Sequence, residues 1–330
     1  VKKKSDIFFV GIFLMLAISL VNNKNPLWDI HAYLQATENH VNPYRTDIEI
    51  PFVYHPYILL TFRSIHAIAS LKKVLLAFYT ISTCFLVWQS FYFIRDLFSL
   101  NKKKRYFTYA SSIILSTANQ ACMGVFKTAN ITFFLHSILL AMTFKCLRSK
   151  KASHYYMLLA LITLASLVKP YLLAYLLMTF YLVNFKKMLL GSTFSGITTF
   201  LIWISGMKTM PLEYQAMLTA LKHQTFGQGD LGRSIFVYLY PKYGIPLALG
   251  IHCLTLGIGC YLLFFQYPKY PWKIKNLDFL LAIILIVCTN PRVKEYDYYI
   301  ARIALHLFIT LIISHSWKSS TLKLLNKKKV

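Results

Sequence analysis

Asp29 is the residue whose type and setting most need a chemical explanation. It lies just past the first apolar run, between Trp28 and Tyr33, aromatic residues of the kind that collect where a membrane meets water. A carboxylate at that boundary is costly to keep and hard to explain by packing. Two roles fit it. It can act as a general base at the outer membrane surface, with nearby apolar rings raising its basicity by disfavouring the charged form. Otherwise it caps a helix end or sits solvated in a loop. The polar, aromatic stretch continues through Asn42-Pro43-Tyr44 to Tyr54-His55-Pro56-Tyr57.

A base needs an electrophile, and a departing anion needs cations. Lys169 stands alone in the otherwise apolar run 155–185, where an unpartnered charge is expensive and an anionic partner is expected. Arg292 and Lys294 precede Tyr298, Arg233 ends a Gly-rich turn, Lys127 follows another apolar run, and His55 adjoins Pro56. Each can instead be a snorkelling or topology-setting base. Tyr33, Tyr44, Tyr54 and Tyr298 are the aromatic candidates for substrate contact.

These residues are positioned by a membrane-type chain. Hydrophobic residues make up 57% of 330 positions and mean hydropathy is +0.51, against about 45–50% apolar in soluble domains. The excess is arranged in runs separated by Lys/Arg clusters, which predicts an all-α, polytopic bundle of about ten spans in a single domain, 1–330. The spans are expected near 7–22, 74–94, 107–126, 130–147, 155–169, 171–185, 188–206, 243–265, 277–290 and 300–317.

The formal charge of +25 stems from those clusters. Lys2 to Lys4, Lys102 to Arg105, Arg148 to Lys151, Lys186-Lys187 and Lys327 to Lys329 all flank apolar runs. This is the positive-inside pattern, and it places both termini on the cytoplasmic side of a cell membrane. It also implies attraction to anionic membrane lipids. Nucleic-acid binding is not implied, because no basic face exists away from the flanks. Asp29, Glu38, Asp47, Glu49, Glu213, Asp230, Glu295 and Asp297 then fall in the outer loops, chiefly 23–73 and 207–242. The first apolar run reads as an uncleaved span, since no small-x-small cleavage site ends it.

Residues 55–71 would reverse this orientation if they crossed, and Arg63 and His66 interrupt them. They are expected to form an amphipathic helix on the outer surface. The run 155–185 is too long for one span, at about 46 Å as an α-helix, and should break at an outer Lys169-Pro170 turn. A short helix is expected at Leu212 to Leu221.

The order Asp29-x-x-x-Tyr33, Asn42-Pro43-Tyr44, Tyr54-His55-Pro56 resembles the first outer loop of the GT-C glycosyltransferases, closest to glycosyltransferase family 87. Weaker echoes are Gly124-x-x-Lys127-x-x-Asn130, which departs in spacing and lacks a Gln, Lys169-Pro170, and Asn290-Pro291 before Tyr296, Tyr298 and Tyr299. The resemblance implies a helical first extracytoplasmic loop whose aspartate, Asp29, activates the acceptor hydroxyl. It also implies a polyprenyl-phosphate sugar donor, mannose by analogy, and a lipid or glycan acceptor. An inverting transfer of this kind needs one base and cations on the leaving phosphate. It needs no nucleotide fold.

Two other functions share these features: a flippase or transporter of a lipid-linked or anionic substrate, and a surface-glycan polymerase or ligase. Transporters usually show two related halves with interrupted helices, and the sequence has no such halves. Gly227-Gln-Gly229-Asp-Leu-Gly232 spells GxGxxG without the βαβ context a dinucleotide requires. Glu49 and Asp47 could join Asp29 around a divalent metal, although no cofactor is required. His136, His252 and His306 read as helix-packing residues, Asp278 as a helix cap, and the six cysteines, none in a CxxC pair, as reduced core thiols.

Overall fold

The structure, a computed structural model, describes residues 27–44, 46–47, 52–98, 128–226, 234–269, 277–291, 301–302, 304–305 and 309. All regular structure among the described residues is helical. The elements are α1 (Trp28–Glu38), α2 (Pro56–Ile68), α3 (Leu71–Phe98), α4 (Ile131–Ser149), α5 (Ala152–Val168), a 3₁₀ helix (Pro170–Tyr181), α6 (Phe185–Thr209), α7 (Pro211–Phe226), α8 (Ile235–Tyr243), α9 (Ile245–Tyr261) and α10 (Leu277–Cys288).

Four stretches are long and apolar enough to cross a membrane: Leu71–Ser90, Ile131–Ser149, Phe185–Thr209 and Ile245–Gln266, the last running from α9 through a π turn. They match expected spans. Three other expected spans are shorter helices, of 17, 12 and 12 residues. As α-helices, 17 and 12 residues reach about 26 and 18 Å, against a hydrocarbon core of about 30 Å. Four of the ten expected spans thus have the length and apolarity of a crossing helix among the described residues. The expected spans 7–22 and 107–126, and most of 300–317, lie outside them.

The run 155–185 breaks at the expected Lys169-Pro170 turn. Lys169 is extended (φ −142°, ψ 106°), the conformation that a proline imposes on the residue before it. The next element is a 3₁₀ helix rather than an α-helix. At about 2.0 Å per residue its 12 residues extend roughly 24 Å. Nothing in its composition marks this difference.

The helix expected over 55–71 is present as α2. Its 13 residues are too few to span a bilayer at 1.5 Å each. Pro56, Leu59 and Phe62 form its buried stripe. Arg63, which breaks the apolar pattern, donates from Nη2 to the carbonyl of Asn39 at 3.0 Å. Asn39 is the C-cap of α1, so a cation meets the negative end of a helix.

The chain divides into two compact units, Val1–Phe91 with Gln120–Gly232, and Tyr92–Asn119 with Arg233–Val330. In the first, α1 packs on α2, α2 on α5 and α7, and the 3₁₀ helix on α4, α5 and α6. The α5–α6 seam is small and polar. Thr163 Oγ1 lies 2.6 Å from Ser195 Oγ, and Ser166 Oγ lies 3.0 Å from Thr199 Oγ1. Gly191, Ser195 and Thr199 repeat every fourth residue on α6, the spacing that lets membrane helices approach closely. In the second unit, α8 and α9 are separated by Gly244 at φ +78°, a conformation suited to glycine. Ser234 caps α8 and donates to the carbonyl of Pro291. Asp278 lies buried in the first turn of α10.

Candidate active site

The segment from Trp28 to Phe62 folds around aromatic rings. Tyr33, Phe52, Tyr54 and Phe62 pack with ring centres 5.2–6.3 Å apart. Tyr33 and Tyr54 share a 3.0 Å hydroxyl–hydroxyl hydrogen bond. Tyr33 also accepts from the backbone N–H of Ile131 at 3.3 Å, which ties α1 to the first residue of α4. Asn130 caps α4 by accepting from Thr132 N at 2.9 Å. Tyr44 donates to the carbonyl of Tyr54 at 3.0 Å. Three of the four tyrosines expected to touch substrate, Tyr33, Tyr44 and Tyr54, thus form the packed interior of this segment, with their hydroxyls engaged by protein groups.

Asp29 sits in the first turn of α1 and is 8% exposed. Helix N-termini favour carboxylates there. Its charge acts on Tyr33, Tyr54 and Tyr79. Burial foremost, then neighbouring Tyr54 and Asp29, holds the Tyr33 hydroxyl well above its ordinary pKa. Burial and then Asp29 do the same for Tyr54, with the hydrogen bond to Tyr33 opposing. Both remain protonated. Lys169, half-buried at the end of α5, places Nζ 5.2 Å from the centre of the Tyr54 ring. Tyr54 thus feels the charge of Asp29 and carries the ammonium of Lys169 over its ring.

Comparison with protein-family models, with curated proteins and with solved structures gives no match to this chain. The site is thus read from its own geometry.

His55 lies inside the protein, and burial favours its neutral form. It is fully buried, its Nδ1 accepts from Tyr57 N at 3.2 Å as the N-cap of α2, and its ring packs against Tyr57, Trp203 and Tyr214. Burial lowers its pKa to about 4, an effect the Trp203 backbone only partly offsets. The structure thus places this expected phosphate contact inside the packing between α2 and α6. Its role is to lock the loop onto α6, together with the Tyr57 hydroxyl, which lies 2.6 Å from Ser205 Oγ and 3.0 Å from Thr209 Oγ1.

Arg292, Lys294, Arg233, Lys127 and Tyr298 lie outside the described residues, as do Glu49 and the Gly-rich turn. Asp47 is exposed. Among the described residues no group of three His, Cys, Asp or Glu side chains could hold a metal. His136 is fully buried in α4 and meets two tyrosine hydroxyls of the 3₁₀ helix, Tyr175 at 2.9 Å and Tyr171 at 3.2 Å. It packs helices and holds the segment just after Lys169. Tyr79 was not foreseen. An aromatic residue inside an apolar run reads as core, and only the surroundings of its hydroxyl set it apart.

Proposed function

We propose that this chain is an integral membrane glycosyltransferase that moves a hexose from a polyprenyl-phosphate donor to a lipid or glycan hydroxyl on the outer side. The observation that carries the reading is Lys169 held over the Tyr54 ring, a tyrosine that also feels the charge of buried Asp29. The four helices long and apolar enough to cross a membrane support a substrate delivered in the bilayer. In the reaction, Asp29 takes the proton of the acceptor hydroxyl while that oxygen bonds to the anomeric carbon. The bond from that carbon to the phosphate oxygen breaks, and its electron pair leaves with polyprenyl phosphate. One displacement inverts the anomeric centre. Negative charge grows on the phosphate, and Lys169 is the described cation suited to meet it. Buried Tyr33 and Tyr54 fix the helix that carries Asp29.

The test is transfer from undecaprenyl-phosphate mannose, and from the glucose and galactose analogues, in nanodiscs. Wild-type protein transfers one hexose, and Asp29→Asn loses about 10²–10⁴-fold in kcat with unchanged insertion and melting. Normal turnover by Asp29→Asn removes it as the base. Donor binding with no product from the wild-type protein favours a carrier.

A further inference from the structure

Lys169 can meet an anion only where the fold holds its ammonium, and its own segment holds it weakly. The residue is the joint between two helices. Its N–H donates to the carbonyl of Ala165 in α5 at 3.0 Å, and its carbonyl accepts from Leu172 N in the 3₁₀ helix at 3.0 Å. A 3₁₀ ladder has poorer hydrogen bonds than an α-helix and seldom runs beyond about four residues, whereas this one has 12. Ties from outside the segment must therefore fix its rotation, and with it the direction of Lys169.

His136 supplies such a tie. Its imidazole is fully buried in α4. It meets the Tyr175 hydroxyl through Nδ1 at 2.9 Å and the Tyr171 hydroxyl through Nε2 at 3.2 Å. Two rings of the 3₁₀ helix thus grip both edges of one imidazole, with centres 5.6 and 5.8 Å from its own. An apolar side chain would serve for packing alone. A buried imidazole is costly without partners, and directional bonds to both nitrogens specify one rotation of the helix that supplies them.

The same helix, α4, also holds the other side of the cation's setting. Tyr33 accepts from Ile131 N at the start of α4 and bonds to the Tyr54 hydroxyl. The Tyr54 ring lies beneath the ammonium of Lys169. The contacts close into a circuit, from Lys169 through Tyr54 and Tyr33 to α4, then through His136 and Tyr171 back to Lys169. We propose that His136 is a positioning residue: by clamping Tyr171 and Tyr175 it sets the 3₁₀ helix so that Lys169 stands over Tyr54, where the leaving phosphate is met. The part in the reaction rests on the proposed function, and the placement of the ammonium does not.

The experiment records NMR spectra in nanodiscs of protein made with ¹³Cε-labelled lysine, for wild type, His136→Phe and Tyr171→Phe, with Lys169→Arg assigning the Lys169 signal. Protons beside an ammonium that sits over a ring face are shielded, so the wild-type Lys169 signal stands upfield of the other lysines. His136→Phe keeps a ring but loses both bonds, and the signal moves back toward the others. A packing role alone would lower the melting temperature and leave the signal of the folded protein in place. An unmoved signal in His136→Phe overturns the proposal, as does a wild-type signal without the upfield shift. Should His136→Phe fail to insert, Tyr171→Phe, which deletes only the bond to Nε2, decides in the same way. In transfer assays His136→Phe loses up to about 10²-fold in kcat with KM little changed, and the loss disappears in the Lys169→Met background. An equal loss in both backgrounds also overturns the proposal. Normal turnover by Lys169→Met would instead remove Lys169 from the reaction, with its placement by His136 still decided by the spectra.

Discussion

The ammonium of Lys169 lies over the face of Tyr54, 5.2 Å from the ring centre, at the junction where α5 gives way to the 3₁₀ helix. A cation held this way is positioned before any anion arrives, which is what electrostatic catalysis requires. Lys169→Met should lower kcat for lipid-phosphate sugar transfer by about 10²–10³-fold, a size typical of losing one preorganised charge or donor. The lost cation–π contact should cost only about 0.5–2 kcal/mol of stability. Lys169→Arg should recover part of the rate. Steady-state kinetics and thermal melting of the three proteins separate these effects, and a kcat unchanged in Lys169→Met would remove it from the reaction.

Gly206 lies against the imidazole of His55. A Cβ at 206 would come within 2.5 Å of Nε2, and the ring is held by Tyr57, Trp203 and Tyr214. Gly206→Ala should therefore destabilise by about 1–3 kcal/mol, the usual cost of overpacking. The helix propensity of alanine would offset about 1 kcal/mol at most. Adding His55→Ala should cost less in the Gly206→Ala background than in wild type, since the clash is then gone. Chemical denaturation of the four proteins gives the coupling energy, and additive costs would refute the contact.

His55 also predicts a pH dependence. Its folded pKa of about 4 lies below the usual value of about 6.5. Between these values the unfolded chain binds a proton that the folded chain excludes. Stability from this group is therefore complete above about pH 6.5 and is lost as pH falls toward 4, by at most about 3 kcal/mol. His55→Asn, which can still cap α2, should flatten that part of the stability curve. Melting temperatures from pH 4 to 7.5 check it, and an identical slope in both proteins would rule out His55 as the source.

Helical class and several helix positions were legible because lipid-like apolar runs and Lys/Arg clusters leave few alternatives. The break at Lys169-Pro170 could be read because proline constrains the residue before it. Arg63 and His66 told against a crossing at 55–71, and α2 is short. The 3₁₀ form of Pro170–Tyr181 could not be read, since its apolar residues serve either helix. Asp29 and Lys169 were visible as charges in apolar surroundings. The neutral role of His55 was not, because burial beneath Gly206 is a tertiary fact. Nor was Tyr79, whose interest lies in what its hydroxyl lacks.

Tyr33 and Tyr79 both have buried hydroxyls near Asp29, but their bonding differs. Tyr33 bonds to Tyr54 and accepts from Ile131 N. Tyr33→Phe would leave both of those groups buried and unsatisfied, at a cost of about 1–3 kcal/mol for each. It should lower the melting temperature, loosen the start of α4 and slow transfer by releasing the helix that carries Asp29. The same deletion of one oxygen at position 79 removes no protein hydrogen bond among the described residues, so it should leave stability equal or improved. Melting curves of Tyr33→Phe and Tyr79→Phe, measured in the same nanodiscs, should therefore shift in different ways. Equal losses would mean that the Tyr79 hydroxyl has a protein partner after all.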